Sequence, residues 1–582
     1  MSSQVKDNKR QGRGLALLLA FMFFISFFPL ISSAPVGSST EAREIHVARI
    51  VFEQNEWILP NRNGLLPSKP PLYHWCVAAL GHLTGKVDHF EARVVSLLFA
   101  AGTLFISVSL AISFFPQYRW AAFMAALILG SSYQFVRIAV DARVDMAFCF
   151  FVMLAAAFIL RPLSPLEIKY SLKTVLHSQK DFIFFYLSCF FAVLSKGPLG
   201  VVLPCLIAFI ITGVAYGFKR SFQVWFENRL GIYIFTLLAP LWYFLAFAKA
   251  GSEFINRQLI FENIGRFFGE KLTNYEPFWY YVPSFTFKAF PWSLVFICFL
   301  LYALYCRLRS KGLMVKAFSS GGLSLIEKAS WLWFFVCLLF FSIAVGKRHS
   351  YLVPLFPAVM FFIIGRLQSV KFSPQVSYLE KLKISLLIFL HLGALSLVLS
   401  RYFFYYQGPI SSITMSWLSD NQVPLALSCL LPYLLKVIFN IFKAGAFWTR
   451  DVVLLISIYC VFSISLATGN GIKNSIKDFH GAADAINERL AKDAKIYVVR
   501  EQHEEFLDPL LYYLHRNVEI VLPSKLKKDC GNYYIFQWKY VELEEFQDPR
   551  FSRLLQYLQV VDRLKNKKDR TIFLYHYNCD YS

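Results

Sequence analysis

The chain has 582 residues, of which 57% are hydrophobic, 18% are aromatic and only 16% are charged. This composition is too apolar for a water-soluble protein and indicates a polytopic membrane protein. The formal net charge of +22 does not indicate a nucleic-acid partner, because the lysines and arginines lie in short segments between apolar runs, where they set membrane topology.

The N-terminal segment predicts a cytoplasmic start and a first membrane span. Residues 1–13 are basic, and an apolar run over residues 14–35 is close to the roughly 20 residues that cross a bilayer. A cleaved signal peptide is the alternative, since Ser33 and Ala34 are small. Either version exports the next segment, so residues 37–88 form the first outer loop.

Twelve further apolar runs predict membrane spans, which makes about thirteen transmembrane helices. With a cytoplasmic N-terminus, every basic loop between them falls on the cytoplasmic side, as the positive-inside rule requires. The odd count then exports the C-terminal tail, residues 472–582, and leaves residues 14–471 as the membrane domain. The runs lie near residues 89–113, 119–137, 145–161, 182–195, 198–217, 230–249, 284–305, 330–345, 350–366, 383–401, 423–441 and 451–468.

The C-terminal tail contains apolar runs that are too short to span a bilayer. Alternating runs predict strands at residues 495–499, 518–522, 533–538 and 571–575, and helical periodicity predicts helices at residues 479–491, 509–515 and 551–564. The tail is therefore expected to be a small extracytoplasmic α/β domain. The fold class predicted for the whole chain is an all-α polytopic membrane protein that carries this domain at its C-terminus.

The eleven cysteines give no metal-like pattern. Nine of them, Cys76 to Cys460, lie in or beside apolar runs, as small buried hydrophobic residues do. Cys530 and Cys579 fall in the polar tail, where a disulfide and two free thiols both remain open. A divalent metal is possible, but no spacing of His, Cys and carboxylate residues requires one.

The stretch SKPPLYHW at residues 68–75 places a cation at a rigid helix entrance. Pro70 and Pro71 can open a helix but cannot lie inside one, so Lys69 precedes the first turn. Tyr73 and Trp75 give the helix an aromatic flank typical of a membrane interface. The natural partner of such a cation is the phosphate of a lipid.

Seven groups of residues that topology does not explain fall on the outer side. In this order they resemble the GT-C glycosyltransferases of the superfamily that contains aminoarabinose lipid A transferase and protein O-mannosyltransferase, over roughly residues 15–370. The groups are TEARE (40–44) with NEWILPNRNG (55–64), SKPP (68–71), DARVDM (141–146), SKGP (195–198), ENIGRF (262–267), PFWYY (277–281) with PW (291–292), and GKRHSYLVP (346–354).

The resemblance implies a fold, an activity and a location. The fold is a GT-C bundle with juxtamembrane helices in the first outer loop, capped by a small outer domain. The activity is inverting transfer of a sugar from a polyprenyl-phosphate carrier to an outer-leaflet acceptor, which is a lipid A-like glycolipid, a glycan or a protein. The location is the bacterial inner membrane, with the active site and the C-terminus on the periplasmic side.

Two other functions compete with the transferase. A transporter or flippase of a lipid-linked anionic glycan should show internal repeats and ionisable residues at mid-bilayer, and the sequence shows neither. A non-catalytic scaffold whose exported tail binds a partner leaves the outer cations and carboxylates without a role.

Sugar transfer from a lipid phosphate needs a carboxylate base and cations that stabilise the departing phosphate. Among the outer carboxylates Glu41, Glu44, Asp141 and Asp145, Glu41 is the first choice as base, because it matches the acidic first-loop motif. Asp145 carries the Asp-Met motif of the family. It is expected either to position Glu41 or to act as the base in its place. Thr40 departs from the family pattern, which has an acidic residue at that position.

The phosphate is expected to meet several outer cations, and other polar residues are expected to line the substrate pocket. Lys347 and Arg348 are the most informative, since they are outer cations in a chain whose other basic loops lie inside. For each single cation, a side chain that reaches the lipid headgroups is the plainer alternative. The predicted phosphate ligands are Lys69, Lys347, Arg348, Arg266, Lys196 and Arg43, and the predicted pocket residues are Asp141, Tyr73, His349, Tyr351 and Asn263.

Overall fold

The computed structural model describes residues 2–369 apart from short gaps, the longest at 166–177 and 310–323, and those segments of residues 479–577 that form the helices and strands of the tail. The predicted spans near residues 383–401, 423–441 and 451–468 lie outside the described residues. Cys530 and Cys579 do so as well.

In its described part the membrane domain consists of helices joined by loops, with an isolated β-bridge between Arg62 and Leu65. Its helices are α1 (Ser2–Phe27), α2 (Ser39–Gln54), α3 (Leu72–Thr84), α4 (His89–Phe114), α5 (Ala121–Gly130), α6 (Tyr133–Val140), α7 (Val144–Leu160), α8 (Gln179–Lys196), α9 (Leu199–Tyr216), α10 (Phe218–Glu227), α11 (Leu230–Ile255), α12 (Tyr281–Lys288), α13 (Trp292–Arg309), α14 (Leu325–Ile343) and α15 (Phe356–Ser369). A π-helical segment, Asn256–Gly265, continues α11, and a 3-10 segment, His349–Leu355, leads into α15.

Six helical segments in the described part are long and apolar enough to cross a membrane, or up to eight if each bent pair is one span. They coincide with the spans predicted near residues 89–113, 145–161, 198–217, 230–249, 330–345 and 350–366. The chain is therefore a multi-pass membrane protein by the length and composition of its helices. The total of thirteen spans stays a prediction.

The run predicted as one span over residues 119–137 is instead two helices, α5 and α6, bent by 68°. The break falls at Ser131 and Ser132, whose hydroxyls donate to the carbonyls of Leu127 and Ile128, four residues back. Serine pairs that bond to the preceding turn are a known cause of helix bends. The bend places the segment between α6 and α7 at the candidate active site.

Two helices of the first outer loop precede α4, as the GT-C resemblance implies. Helix α3 begins directly after Pro70 and Pro71, as predicted from the proline pair. Helix α4 begins at a capping box in which Asp88 and Glu91 satisfy each other's backbone amides. In the core behind this loop, α7 packs against α4, α8 and α9.

The tail contains a five-stranded sheet of order β2-β1-β3-β5-β4. Its strands are β1 (Ile496–Val499), β2 (Val518–Val521), β3 (Tyr533–Gln537), β4 (Leu558–Lys565) and β5 (Thr571–Tyr577), and its helices are α16 (His480–Arg489) and α17 (Asp508–Leu514). Strand β1 runs parallel to β2 and β3, and β5 runs antiparallel to β3 and β4. The tail is thus α/β in character. The predicted start of this domain, at residue 472, lies outside the described part.

One element of the tail was predicted wrongly. Residues 551–564 are predicted to be helical from their periodicity, but residues 558–565 form β4. Pairing with β5 shifts register between Val560 and Asp562, so a bulge breaks the simple alternation that identifies a strand. Tertiary pairing has overridden a pattern that locally favours a helix.

Candidate active site

Glu41, the first choice for the base, is held in a buried ion pair with Arg93. The Arg93 guanidinium donates from Nε and Nη2 to the two carboxylate oxygens of Glu41, at 2.7 and 3.1 Å. The backbone amide of Ala142 also donates to Glu41 at 3.1 Å. Both ionic side chains are almost completely buried. Glu41 therefore joins α2 to α4 and to the segment between α6 and α7.

Arg93 was not predicted as part of the site. It lies in the apolar run of α4, where a charge is costly unless it is paired. An arginine in such a run was therefore the one feature of the sequence that could have identified it. Its third contact is a hydrogen bond from Nη1 to the carbonyl of Ile31, at 2.7 Å.

Glu44 lies between Arg43 and His74 on the same outer loop. Arg43 donates to Glu44 Oε1 at 2.6 Å, and His74 Nε2 lies 2.7 Å from Oε2. Burial opposes ionisation of this carboxylate, but the Arg43 cation and the His74 contact prevail and hold the pKa of Glu44 well below its ordinary value. Arg43, a predicted phosphate ligand, is thus engaged by a neighbouring carboxylate.

Asp145 and Lys196, which the sequence assigned to different roles, form an ion pair. Asp145 lies in the first turn of α7 and Lys196 at the last residue of α8, and both side chains are largely buried. The Lys196 ammonium also lies 4.6 Å from the centre of the Tyr351 ring. Arg143 and Arg348 add their charges to that of Lys196 around the carboxylate. Four predicted site residues, Asp145, Lys196, Tyr351 and Arg348, thus meet where α7 begins and α8 ends.

Lys69 is paired with Glu262, a residue that the sequence left without a role. Its ammonium lies 2.8 Å from Glu262 Oε2, and the guanidinium of Arg257 lies 3.6 Å from Oε1. The same π-helical segment is bound to the first outer loop by Gln258, whose side-chain amide donates to the carbonyl of Pro67 at 2.6 Å. The loop that carries Lys69 is therefore fixed to the segment after α11.

Lys347 and its neighbours have a different set of contacts. The Lys347 ammonium donates to the carbonyls of Ala344 and Glu276, at 2.7 and 2.9 Å, and burial lowers its pKa. The His349 ring stacks on Tyr280 with ring centres 5.1 Å apart. The backbone of Arg348 is held by the hydroxyl of Tyr281, at 3.2 Å.

The remaining predicted residues support the segment between α6 and α7 or lie near Lys196. Arg143 contacts Asp141 at 3.5 Å, and its backbone amide donates to the Ser96 hydroxyl at 3.1 Å. The Tyr73 hydroxyl donates to the Ala92 carbonyl at 2.7 Å and lies 3.1 Å from Ser96. Asn263 donates to the carbonyl of Gln258. The side chain of Arg266 lies outside the described part.

Apart from Lys347 and His349, most of the predicted residues fall into two sets by these contacts. One set, around Glu41 and Glu44, is a buried network that joins the first outer loop to α4 and to the segment after α6. The other holds two lysine–carboxylate pairs, Asp145 with Lys196 and Glu262 with Lys69. Among the described residues, no group of three or more His, Cys, Asp or Glu side chains is arranged to hold a metal ion.

The site can be compared with known proteins. No protein-family model matches the chain. The undecaprenyl phosphate-alpha-4-amino-4-deoxy-L-arabinose arabinosyl transferase 2 of Proteus mirabilis is 23% identical over 364 residues, which cover 60% of this chain and 58% of that protein. An uncharacterized protein of Aquifex aeolicus is 25% identical over 350 residues, which cover 60% of this chain and 71% of that protein.

A solved structure resembles this one over nearly its whole length. The crystal structure of ArnT from Cupriavidus metallidurans bound to undecaprenyl phosphate superposes with a TM-score of 0.65 at 18% identity, and the match covers 96% of this chain and 98% of that one. The predicted resemblance to the GT-C glycosyltransferases is therefore confirmed at the level of the fold.

Proposed function

We propose that this chain, with its GT-C fold and relatives named as arabinosyl transferases, is a membrane glycosyltransferase that moves a sugar from a polyprenyl phosphate to an acceptor. The observation that carries the proposal is the pair of buried lysine–carboxylate contacts, Asp145 with Lys196 and Glu262 with Lys69, at one end of an ArnT-like bundle. A lipid phosphate can replace either carboxylate as the partner of its lysine.

Asp145 is the carboxylate that we assign as the base. Glu41 accepts a bidentate contact from Arg93 and a backbone hydrogen bond from Ala142, so both of its oxygens are already used. Asp145 has one lysine as its direct ionic partner, and Lys196 can transfer its contact to an incoming phosphate. This choice reverses the order in which the sequence ranked the two residues.

The proposed reaction needs one proton acceptor and several cations. Asp145 takes the proton of the acceptor hydroxyl as that oxygen attacks the anomeric carbon, and the bond from this carbon to the phosphate oxygen breaks. Lys69 and Lys196 stabilise the negative charge on the departing polyprenyl phosphate. Lys347 has donated two of the three hydrogens of its ammonium to carbonyls and retains one for the phosphate.

The proposal also covers the orientation of the chain in the membrane and the molecule that accepts the sugar. We place the site and the C-terminus on the periplasmic side of a bacterial inner membrane, since the positive-inside rule then holds for every basic loop except the one that carries Lys347 and Arg348. A reporter fused after Asn470 is expected to give a periplasmic signal, and a cytoplasmic signal there contradicts the orientation. The acceptor is an outer-leaflet lipid, a glycan or a protein.

The function is tested by transfer of labelled sugar from polyprenyl-phosphate donors by the purified protein. Wild type is expected to transfer or release sugar, and Asp145→Asn is expected to lose at least about a hundredfold in kcat, the usual contribution of a general base, while it still binds the lipid phosphate. Binding without any turnover over a broad panel of donors and acceptors would instead favour the flippase.

A further inference from the structure

Helix α10, Phe218–Glu227, connects two membrane spans at the end of the bundle away from the candidate site. The first span, α9, begins just after Lys196 and ends at Tyr216, and the second, α11, begins at Leu230. Gly217, with a φ of +84°, turns the chain between α9 and α10. The 10 residues of α10 measure about 15 Å, which is too short to cross a bilayer, so the helix starts and ends at the same membrane surface.

One side of α10 packs on the bundle. Ser221 and Val224 are buried, and the Ser221 hydroxyl lies 2.5 Å from that of Thr212 on α9. The ring nitrogen of Trp225 donates to the same Thr212 hydroxyl at 3.3 Å, and its ring centre lies 5.7 Å from that of Phe182 on α8. These contacts fix the rotation of α10 about its own axis, and therefore determine which of its side chains point away from the protein.

A row of three phenylalanines on α10 points away from the protein. Phe218, Phe222 and Phe226 recur every four residues, and they are 52%, 56% and 73% exposed. The rings of Phe218 and Phe222 lie 5.6 and 4.9 Å from that of Phe209 on α9. Phe209 is about two helical turns, roughly 10 Å, from the end of α9. The row therefore begins beside the last turns of a membrane span and not beyond its end.

The third side of α10 is polar and positively charged. Lys219, Arg220, Gln223 and Glu227 are all exposed, and Arg220 donates to Gln223 and Glu227 at 2.9 and 3.1 Å. With the exposed Arg229, which follows the helix, this side holds three cations and one anion. A short helix with one aromatic and one cationic side is typical of a helix that lies in the bilayer interface.

We propose that α10 is an interfacial helix that binds anionic phospholipids at the membrane surface opposite the candidate site. The phenylalanine row lies at the edge of the hydrocarbon, and the cations contact lipid phosphates, because a net positive charge is attracted to an anionic membrane surface. The inference does not depend on the proposed function. It gives a lipid contact to the loop between α9 and α11, whose other ends lead to Lys196 and Glu262.

The first test concerns the phenylalanine row and uses thermal melting of the full chain in phosphatidylcholine nanodiscs. Phe226→Ser is expected to lower the melting temperature by a few degrees, because a ring that lies in lipid loses favourable burial when serine replaces it. Phe226→Trp is expected to melt like wild type, since tryptophan also favours the interface. The matched control is Gln223→Ser, on the polar side, with little expected change.

Equal melting of Phe226→Ser and wild type overturns the inference, because that is the behaviour of a ring that lies in water. The mass of the purified particle is measured as well. A smaller particle in Phe226→Ser than in wild type also overturns the inference, since a second copy of the chain then covers the row.

The second test concerns the anionic lipid. Wild type is expected to melt higher in nanodiscs of phosphatidylcholine mixed with phosphatidylglycerol than in phosphatidylcholine alone, and Lys219→Glu is expected to lose part of that increase. The matched control is Lys495→Glu, which reverses an exposed lysine of the tail and is expected to keep the increase. A wild type that melts equally in both lipids, or two variants that respond alike, overturns the binding of anionic lipid by α10.

Discussion

At the scale of single residues, the contact with Arg93 gives Glu41 a structural role, whereas Asp145 is the proposed catalytic carboxylate. Both charges are buried, and each gains its stability from the other. Removing one partner of such a pair leaves an uncompensated charge in a poorly solvated place, which commonly costs about 3–5 kcal/mol. Asp145 differs because its partner Lys196 has a second ligand, the phosphate, in the proposed reaction.

Glu41→Gln is therefore predicted to lower stability more than it lowers the chemical step. Its melting temperature in detergent is expected to fall by several degrees, with residual turnover in the protein that remains folded. Asp145→Asn is the matched comparison: it also leaves a buried lysine without its carboxylate and melts lower without ligand, but bound polyprenyl phosphate is expected to restore its melting temperature while kcat stays lost. A Glu41→Gln protein that melts like wild type but is inactive would return the role of base to Glu41.

Glu44 gives the site a pH dependence whose sign follows from its lowered pKa. Since the folded state holds the ionised form through Arg43 and His74, the carboxylate contributes stability above its unfolded pKa, about 4.3. That contribution decreases as the pH falls below this value. Wild type is predicted to lose melting temperature from about pH 4.5 downward.

The Glu44→Gln variant is the control for that prediction. It is expected to melt lower than wild type at pH 7 and to lose part of the acid-side slope, which melting curves from pH 3.5 to 7 can measure. If the variant and wild type show the same slope, another carboxylate is responsible.

At the scale of elements, the close approach of α8 and α9 positions Lys196 at the end of α8. A Cβ on Gly200 would lie 2.2 Å from backbone atoms of Ala192 and Val193, a distance that no rotamer change relieves. The two helices must separate if any side chain is added there.

Gly200→Ala is accordingly predicted to lower both melting temperature and turnover, because it moves α9 away from the end of α8. Gly14→Ala, in α1, is the matched control, since a Cβ there meets no atom within 4 Å and alanine favours a helix by up to about 1 kcal/mol. Thermal melting and the transfer assay distinguish the two. Equal melting of both variants would show that the helices adjust at little cost.

The sequence predicts local elements better than their partners. The start of α3 after Pro70 and Pro71 follows from backbone chemistry that involves adjacent residues only. The pairing of Lys69 with Glu262 joins residues 193 positions apart, and no local pattern encodes it. Strand β4 is a second example, because it is a strand only through its pairing with β5, which its own sequence does not reveal. The sequence alone singles out Lys69, Lys196 and Asp145 as candidates, but only the fold shows which carboxylate lies beside which lysine.

At the scale of the whole molecule, the tail is attached to the first outer loop through α17. Asp508 accepts a hydrogen bond from Arg62 at 2.7 Å in a buried ion pair. The Tyr512 hydroxyl donates to Asp88, and the Tyr513 hydroxyl accepts from the backbone amide of Val36 at 2.7 Å. These contacts fix both ends of the loop that carries Lys69, so the tail is expected to influence a site to which none of its described residues contributes a charge.

The Arg62–Asp508 pair provides the test of that coupling. Asp508→Asn leaves the Arg62 charge buried without its carboxylate and is predicted to lower stability by about 3–5 kcal/mol. The double variant Arg62→Met with Asp508→Leu replaces both charges by apolar groups and is expected to recover most of that loss. Glu227→Gln breaks an exposed pair with Arg220 and is the control, with an expected change of about 1 kcal/mol or less.

The KM for the donor shows whether the attachment of the tail to the first outer loop affects function as well as stability. If α17 positions the loop before Lys69, Asp508→Asn raises the KM for the polyprenyl-phosphate donor, and the double variant restores it together with the melting temperature. If the KM stays at its wild-type value in Asp508→Asn while the protein melts lower, the tail stabilises the outer loop without positioning Lys69. The Lys69 contact with Glu262 then suffices to hold the phosphate-binding lysine in place.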